Sequence, residues 1–511
     1  MSWLKAFTAP VVSALLFAGA FPPFNLWWLA WLWALPLLWL LWCGEKRRSI
    51  WFGFRHGWLA GFLAFTATLW WVGHVSVPGM LALCAYLALY PAIWSGFAAA
   101  LQPRTPAQGF VASLALAMLW CGLEWARSTL LTGFPWNAAA VPLVEMPGLR
   151  SLAVYCGVIG LSVLTFFFMT GIAASWILRG HRNARGRAVL MAIILATPAV
   201  LTLVTWQKTP QPSGQLEVML VQPNVSMKDK MDEMQNGPRY DDLLRLTVEG
   251  YQRARIKPEM IVWPESAIPF LFHERLHDEP LNMILKMGPL TLITGADDIA
   301  ADDAGTNSWD LSNCVAMLRE DRVNFVIHGK VHLVPFGEYI PLRKQLPFLE
   351  DMLGHLIPTD FTPGKSLEPL KMDGLKPEVV PLVCFEDTIA DLARRFVRDV
   401  PQILVNVTND NWFHESPESA IHALNARWRC VELQRPMVRS ANTGVTCVID
   451  TEGRMTSEMK PFTRGVLYAS VPLFPGGITF YATHGDVIPI GAGIAGLLLA
   501  LAVLVTRRSE P

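Results

Sequence analysis

EVVPLVCFED, residues 378–387, decides how this chain is read. An apolar run, Val379 to Val383, ends at a thiol, Cys384, and gives way to Phe385, Glu386 and Asp387. A short apolar run that stops at polar residues suits a strand buried on both faces. A thiol at the exit of such a strand can meet a substrate while its backbone stays fixed. The ordinary alternative is a packing cysteine, since Cys is among the most buried residue types. The two acids add a constraint. Negative neighbours raise a thiol pKa, so this thiol needs a base or a cation beside it to react at neutral pH.

Working outward, similar runs recur: QLEVMLVQPNV (215–225), MIVWP (260–264), LTLITGADD (290–298), NCVAML (313–318), QILVNVTN (402–409) and VTCVID (445–450). Between them, 239–256, 389–399 and 416–435 have helical spacing. The alternation predicts an α/β domain over 208–485, helices outside and sheets inside, large enough for its own core.

The flanks differ in kind. The chain is 52% hydrophobic and 16% charged, against about 25% charged in a soluble domain. Eight stretches have the length and apolarity of a membrane-spanning helix: 6–22, 25–43, 52–74, 79–101, 109–129, 150–178, 188–206 and 486–506. The first is interrupted by Phe21-Pro22-Pro23 and lacks a small-residue cleavage site, so it reads as a retained helix rather than a signal peptide. Basic residues follow the even-numbered spans: Lys46, Arg47 and Arg48; Arg104; Arg179, His181, Arg182, Arg185 and Arg187; Arg507 and Arg508. The positive-inside rule then puts both termini in the cytoplasm and the insert outside it. The predicted domains are a membrane part over 1–207, the enzyme domain over 208–485 and an eighth span with its tail over 486–511. Net charge is zero, with no basic stripe for nucleic acid.

Two more residues could serve the thiol. Glu265, in VWPES, follows a strand and a proline. It is either a base or an ordinary first-turn helix carboxylate. Lys330, in HGKVHLVPFGE, stands in an apolar setting. It either snorkels to the surface or, buried beside a carboxylate, stabilises an oxyanion. Glu338 in the same block is a loop carboxylate by default. Cys314, Cys430 and Cys447 share the insert with Cys384 and leave disulfide pairing open. No CxxC spacing occurs, and His414 and His422 have no third ligand at metal-binding spacing.

WPES at Glu265, GKVHLVPFGE at Lys330 and CFED at Cys384 resemble the three catalytic blocks of the nitrilase superfamily, in the same order and at about the same separations. With seven spans before the insert and one after, the chain resembles that superfamily's membrane-anchored branch, the apolipoprotein N-acyltransferases. TNDNWF (408–413) adds to the likeness. The resemblance implies an αββα sandwich outside the cytoplasm of a bacterial inner membrane. It implies Glu265 as general base, Lys330 as oxyanion stabiliser and Cys384 as nucleophile, supported by Glu338 and Glu386. It also implies oxyanion or pocket roles for Phe385, Asn409, Trp412 and Phe413. Where the family more often shows Tyr-Glu, this chain has Phe385-Glu386; where it often shows a tryptophan after the first strand, this chain has Met231.

The implied reaction moves a fatty acyl chain from a phospholipid to the amine of a diacylated apolipoprotein through a Cys384 thioester, as a monomer without cofactor or metal. Apolar segments 271–288 and 345–362 are candidate lids, and Phe134-Pro135-Trp136 a candidate interfacial cluster. A membrane-tethered hydrolase is one alternative. A transporter is a second, against which stands the scarcity of ionisable residues in the spans: Glu124, Arg127 and His74.

Overall fold

The computed structural model describes residues 3–43, 48–204, 211–275, 278–299, 311–320, 325–345, 347, 350 and 359–508. Lys46, Arg47, the side chains of Arg507 and Arg508, and most of the proposed 345–362 lid lie outside the described residues. The chain divides into two compact units. One comprises Met1–Lys208, Ser416–Glu432 and Thr479–Pro511, the other Thr209–Glu415 and Leu433–Ile478.

The first unit is helical. Helices lie within each of the eight apolar windows, and five segments are long and apolar enough to cross a membrane: Val77–Ala100, Pro106–Thr132, Ala153–Gly180, Ala184–Leu203 and Val487–Thr506. Ala6–Ala20 and Trp27–Trp42 are shorter apolar helical stretches. Small residues let helix backbones approach closely. Gly53, Gly57 and Gly61 form such a stripe on the Ile50–Leu69 helix. A Cβ on Gly57 would stand 2.4 Å from Ser95 Oγ, and one on Gly61 2.3 Å from Pro91 Cγ. Arg127 Nη1 donates to Phe134 O (2.9 Å) and Trp136 O (2.7 Å), folding that loop back. Trp136 is therefore buried, its ring 5.1 Å from Trp71, rather than free for a lipid interface.

The second unit holds two sheets. The first is ordered β12-β1-β2-β4-β5-β6, with β3 also on β4: β1 Gly214–Gln222, β2 Met260–Val262, β3 Ile268–Leu271, β4 Thr291–Ile299, β5 Leu311–Leu318, β6 Val326–Gly329 and β12 Gly465–Leu473. The second is ordered β11-β10-β9-β8-β7: β7 Glu378–Val383, β8 Gln402–Thr408, β9 Met437–Ala441, β10 Cys447–Ile449 and β11 Met455–Glu458. Successive side chains of a strand face opposite ways. Leu216, Val218 and Leu220 of β1 thus join Val379, Val383, Val405 and Val407 in one core between the sheets. Met219 and Val221 join Tyr240, Leu243 and Leu244 of the Asn236–Arg253 helix in the other. Burial on both faces is why these strands read as apolar runs rather than alternations.

Five strands are absent from the sequence reading, for different reasons: β3 (IPFL) and β6 (VIHG) are only four residues long, Arg439 and Ser440 interrupt β9, β11 (MTSE) is polar, and β12 is a partly exposed sheet edge. Segment 271–288 is also corrected. Its Glu279–Leu285 helix buries Leu281, Ile284 and Leu285 in the core, so its apolarity serves packing rather than a lid. All eight cysteines are free thiols.

Candidate active site

Cys384 begins a tight turn, Cys384–Thr388, directly after β7. Its φ is +51°, a left-handed conformation that non-glycine residues rarely hold without support. Two supports are visible. Asn406 Nδ2, from the parallel neighbour β8, donates to Cys384 O at 3.0 Å. Glu386, 1% exposed, accepts from Val383 N–H at 2.8 Å. The other oxygen of Glu386 accepts from Val331 N–H (2.7 Å) and His332 N–H (2.9 Å). This carboxyl therefore ties the turn of Cys384 to the segment that follows Lys330. Burial pushes it up to about 7, against the pull of those N–H groups and of Lys330.

Lys330 leaves β6 into the protein rather than towards solvent and is 1% exposed. Its Nζ lies 2.8 Å from Glu338 Oε1 and 3.9 Å from Glu265 Oε1. Burial alone would discharge it. Glu338 first, then Glu265 and Cys384, outweigh burial and hold the ammonium above its usual range. Glu338 is no surface carboxylate: its second oxygen accepts from Val334 N–H at 2.8 Å.

Glu265 follows β2 and is 9% exposed. The TGAD segment of β4 passes so close that a Cβ on Gly295 would stand 2.5 Å from Glu265 Cα, so only glycine fits. Burial raises the Glu265 carboxyl, with Lys330 opposing and Glu338 reinforcing. The Cys384 thiol is pushed well up by burial and then by Glu265, with Lys330 pulling down. A thiol that needs a proton acceptor, a carboxyl of raised basicity and a fixed cation thus share one electrostatic site. That constellation suits attack on a carbonyl.

The comparisons with known proteins fall on the same two parts of the chain. A model of the apolipoprotein N-acyltransferase N-terminal domain matches residues 13–171, and a carbon-nitrogen hydrolase model matches 218–474. An apolipoprotein N-acyltransferase from Geobacter metallireducens is 32% identical, over 98% of this chain and 95% of its own. One from Rhizobium rhizogenes is 34% identical, over 80% and 78%. The chain belongs to the apolipoprotein N-acyltransferase family. It is accordingly an acyltransferase whose catalytic part is a carbon-nitrogen hydrolase domain, as that family's members are. Among solved structures, a carbon-nitrogen hydrolase from Helicobacter pylori is similar at 12% identity and TM-score 0.37, over 51% of this chain and 89% of that one. An amidase from Nesterenkonia sp. is similar at 13% and 0.35, over 52% and 93%.

The residues expected to form the pocket differ in exposure. Phe385 is half-buried, its ring 6.0 Å from that of His332. Asn409 is buried and accepts from Asn442 Nδ2 at 3.0 Å. Phe413 is half-buried, while Trp412 is 48% exposed and Met231 is on the surface at 64%. Three residues escaped the sequence reading. Asn313 Nδ2 donates to Glu265 Oε1 (2.7 Å) and approaches Glu338 Oε1 (3.3 Å). His332, held below its ordinary value by burial and by Lys330, has a buried Nε2 with no hydrogen-bond partner among the described residues. Arg439 is fully buried. Of these only Asn313 carried a signal: a polar residue opening an apolar strand.

Proposed function

We propose that the chain transfers a fatty acyl group from a phospholipid to the α-amine of a diacylglyceryl-cysteine apolipoprotein, in two steps through Cys384. Glu265 takes the thiol proton and the thiolate attacks the ester carbonyl. Lys330 and backbone N–H groups hold the oxyanion. The carbon–oxygen ester bond breaks and Glu265 returns the proton to the glycerol oxygen, releasing a lysophospholipid. The apolipoprotein amine then attacks the thioester and loses a proton to Glu265, which passes it to the departing sulfur. Glu338 keeps Lys330 charged and placed; Glu386 holds the Cys384 turn. Phe385 offers its backbone N–H to the oxyanion, and Asn409, Trp412 and Phe413 line the approach of the acyl chain.

One observation carries the reading: a buried ammonium shared by two carboxylates, Glu265 and Glu338, in the field of the Cys384 thiol. The domain division 1–207, 208–485 and 486–511 belongs to the same proposal. So do eight spans, both termini in the cytoplasm, an αββα catalytic domain on the periplasmic side and a monomeric enzyme. The helices in all eight apolar windows and the basic residues after even-numbered ones support it.

The test is mass spectrometry of the purified chain after incubation with one defined phospholipid. An acyl group on Cys384, lost in Cys384→Ala and Cys384→Ser, is expected. Acylation that survives either substitution would sink the nucleophile assignment. Free fatty acid released at the transfer rate, with an apolipoprotein peptide present, would make the enzyme a hydrolase.

A further inference from the structure

The acids that follow Cys384 pose a problem that Lys330 does not solve alone. Asp387 sits on the thiol's own turn and is fully buried, and Asp410, 2% exposed, follows the adjoining strand. The register of β7 on β8 pairs Val383 with Val407, so Thr408 and Asp410 stand beside the turn of Cys384. Two buried carboxylates next to a thiol oppose its ionisation. They face Arg439 on β9. Its Nε lies 3.5 Å from Asp387 Oδ2 and its Nη2 3.2 Å from Asp410 Oδ2, while Nη1 donates to Val445 O at 2.8 Å. Thr408 Oγ1 donates to the other oxygen of Asp410 at 2.9 Å, which fixes that carboxylate. Space for it is made by Gly444, where a Cβ would stand 2.0 Å from Asp410 Oδ2.

We propose that Arg439 is a positioning and charge-setting residue of the acyl-transfer reaction: by offsetting one of the two negative charges of Asp387 and Asp410 beneath the turn, it lets the Cys384 thiolate form. The inference rests on the reading of Cys384 as nucleophile. Arg439 touches no substrate. It acts by locking the turn to β8 and β9 and by weakening a field that would otherwise keep the proton on sulfur. An arginine suits the task because it stays charged when buried and its fork reaches two carboxylates and a carbonyl at once. The other charged groups around the thiol are Glu265 and Lys330, which titrate it from the opposite side, Lys230, whose ammonium feels Glu265 and Cys384, and Glu386 on the turn itself.

Two substitutions with opposite expected signs separate this role from a structural one. In full-length protein in detergent micelles, the rate of Cys384 alkylation by iodoacetamide is followed against pH, with the modified residue read by mass spectrometry. Iodoacetamide is a small reagent, and Cys384 as a residue is partly exposed. Arg439→Gln uncovers the carboxylates and should move the midpoint to higher pH by about one unit, about ten-fold slower alkylation near neutrality. Asp410→Asn leaves Arg439 paired with Asp387, removes one negative charge and should move the midpoint to lower pH. Unmoved midpoints, or shifts of the same sign, overturn the proposal; a general loosening of the turn would shift both alike. If Arg439→Gln does not fold, the double variant Arg439→Gln/Asp410→Asn is compared with Asp410→Asn alone: its midpoint should be the higher of the two, and equal midpoints overturn the proposal. Alkylation does not require acyl transfer. Failure here is therefore distinct from failure of the nucleophile assignment, which the Cys384→Ser acylation experiment reads.

Discussion

Asn313 donates a 2.7 Å hydrogen bond from Nδ2 to Glu265 Oε1, so a strand residue of β5 aims the carboxylate beside Lys330. A hydrogen bond to a charged group is worth about 1.5–3 kcal/mol, or roughly ten- to a hundred-fold in rate when it acts in the transition state. Asn313→Ala should slow formation of the Cys384 acyl-enzyme by that factor in single-turnover assays. Losing a donor to the ionised form raises the Glu265 carboxyl further, so the acid limb of the pH–rate profile should move to higher pH. Wild-type kinetics would remove Asn313 from the site.

Lys330→Met should be more damaging than its volume suggests. It leaves Glu265 and Glu338 facing each other in a buried site, and removing one partner of a buried ion pair costs about 3–5 kcal/mol. The melting temperature should fall, and acyl-enzyme should not form. Lys330→Met with Glu338→Gln should recover stability without activity.

Glu386 gives stability a pH dependence opposite to that of an ion-paired carboxylate. Its folded value of about 7 lies above the roughly 4.3 of an unfolded glutamate. The folded state holds a proton the unfolded chain releases. That stability is fully present below pH ~4.3 and is lost as pH rises through about 7. Relative to Glu386→Gln, the wild type should lose on the order of 3 kcal/mol between pH 5 and pH 8. The substitution also points an amide N–H at the backbone donors of Val331, His332 or Val383, so activity should drop at every pH.

His328 tilts the curve the other way. It is 2% exposed, neither ring nitrogen has a hydrogen-bond partner among the described residues, and its ring packs 5.4 Å from that of Phe396. Burial lowers it to about 4. Stability is present above the unfolded value of ~6.5 and is lost as pH falls towards the folded one. His328→Leu should spare the protein about 2 kcal/mol of loss between pH 7 and pH 5. Parallel thermal melts of both proteins across that range check it; equal slopes would mean the ring is solvated.

The sequence made legible whatever rests on a run or a block. Buried strands such as QILVNVT announced themselves because both faces are apolar, and the Glu265, Lys330 and Cys384 blocks because each interrupts such a run. Edge and polar strands did not. The supports of the site were least visible. Asn313 and Arg439 matter through partners 29 to 52 positions away, and nothing local marks an arginine whose counter-ions arrive from the turns after two other strands. Phe134-Pro135-Trp136 misled in the opposite direction, because an aromatic cluster reads alike whether it meets lipid or a neighbouring tryptophan.

The outermost strand of the larger sheet, β12, pairs antiparallel with β1 along its whole length, from Gly214↔Leu473 to Gln222↔Gly465. The polypeptide made first in this domain therefore waits for nearly all the rest before its hydrogen bonds are complete. During synthesis β1 is a naked ribbon, and a ribosome that stalls short of residue 465 leaves one flank of the sheet open to strangers. Nonsense lesions late in the domain should accordingly clump, not merely fall silent.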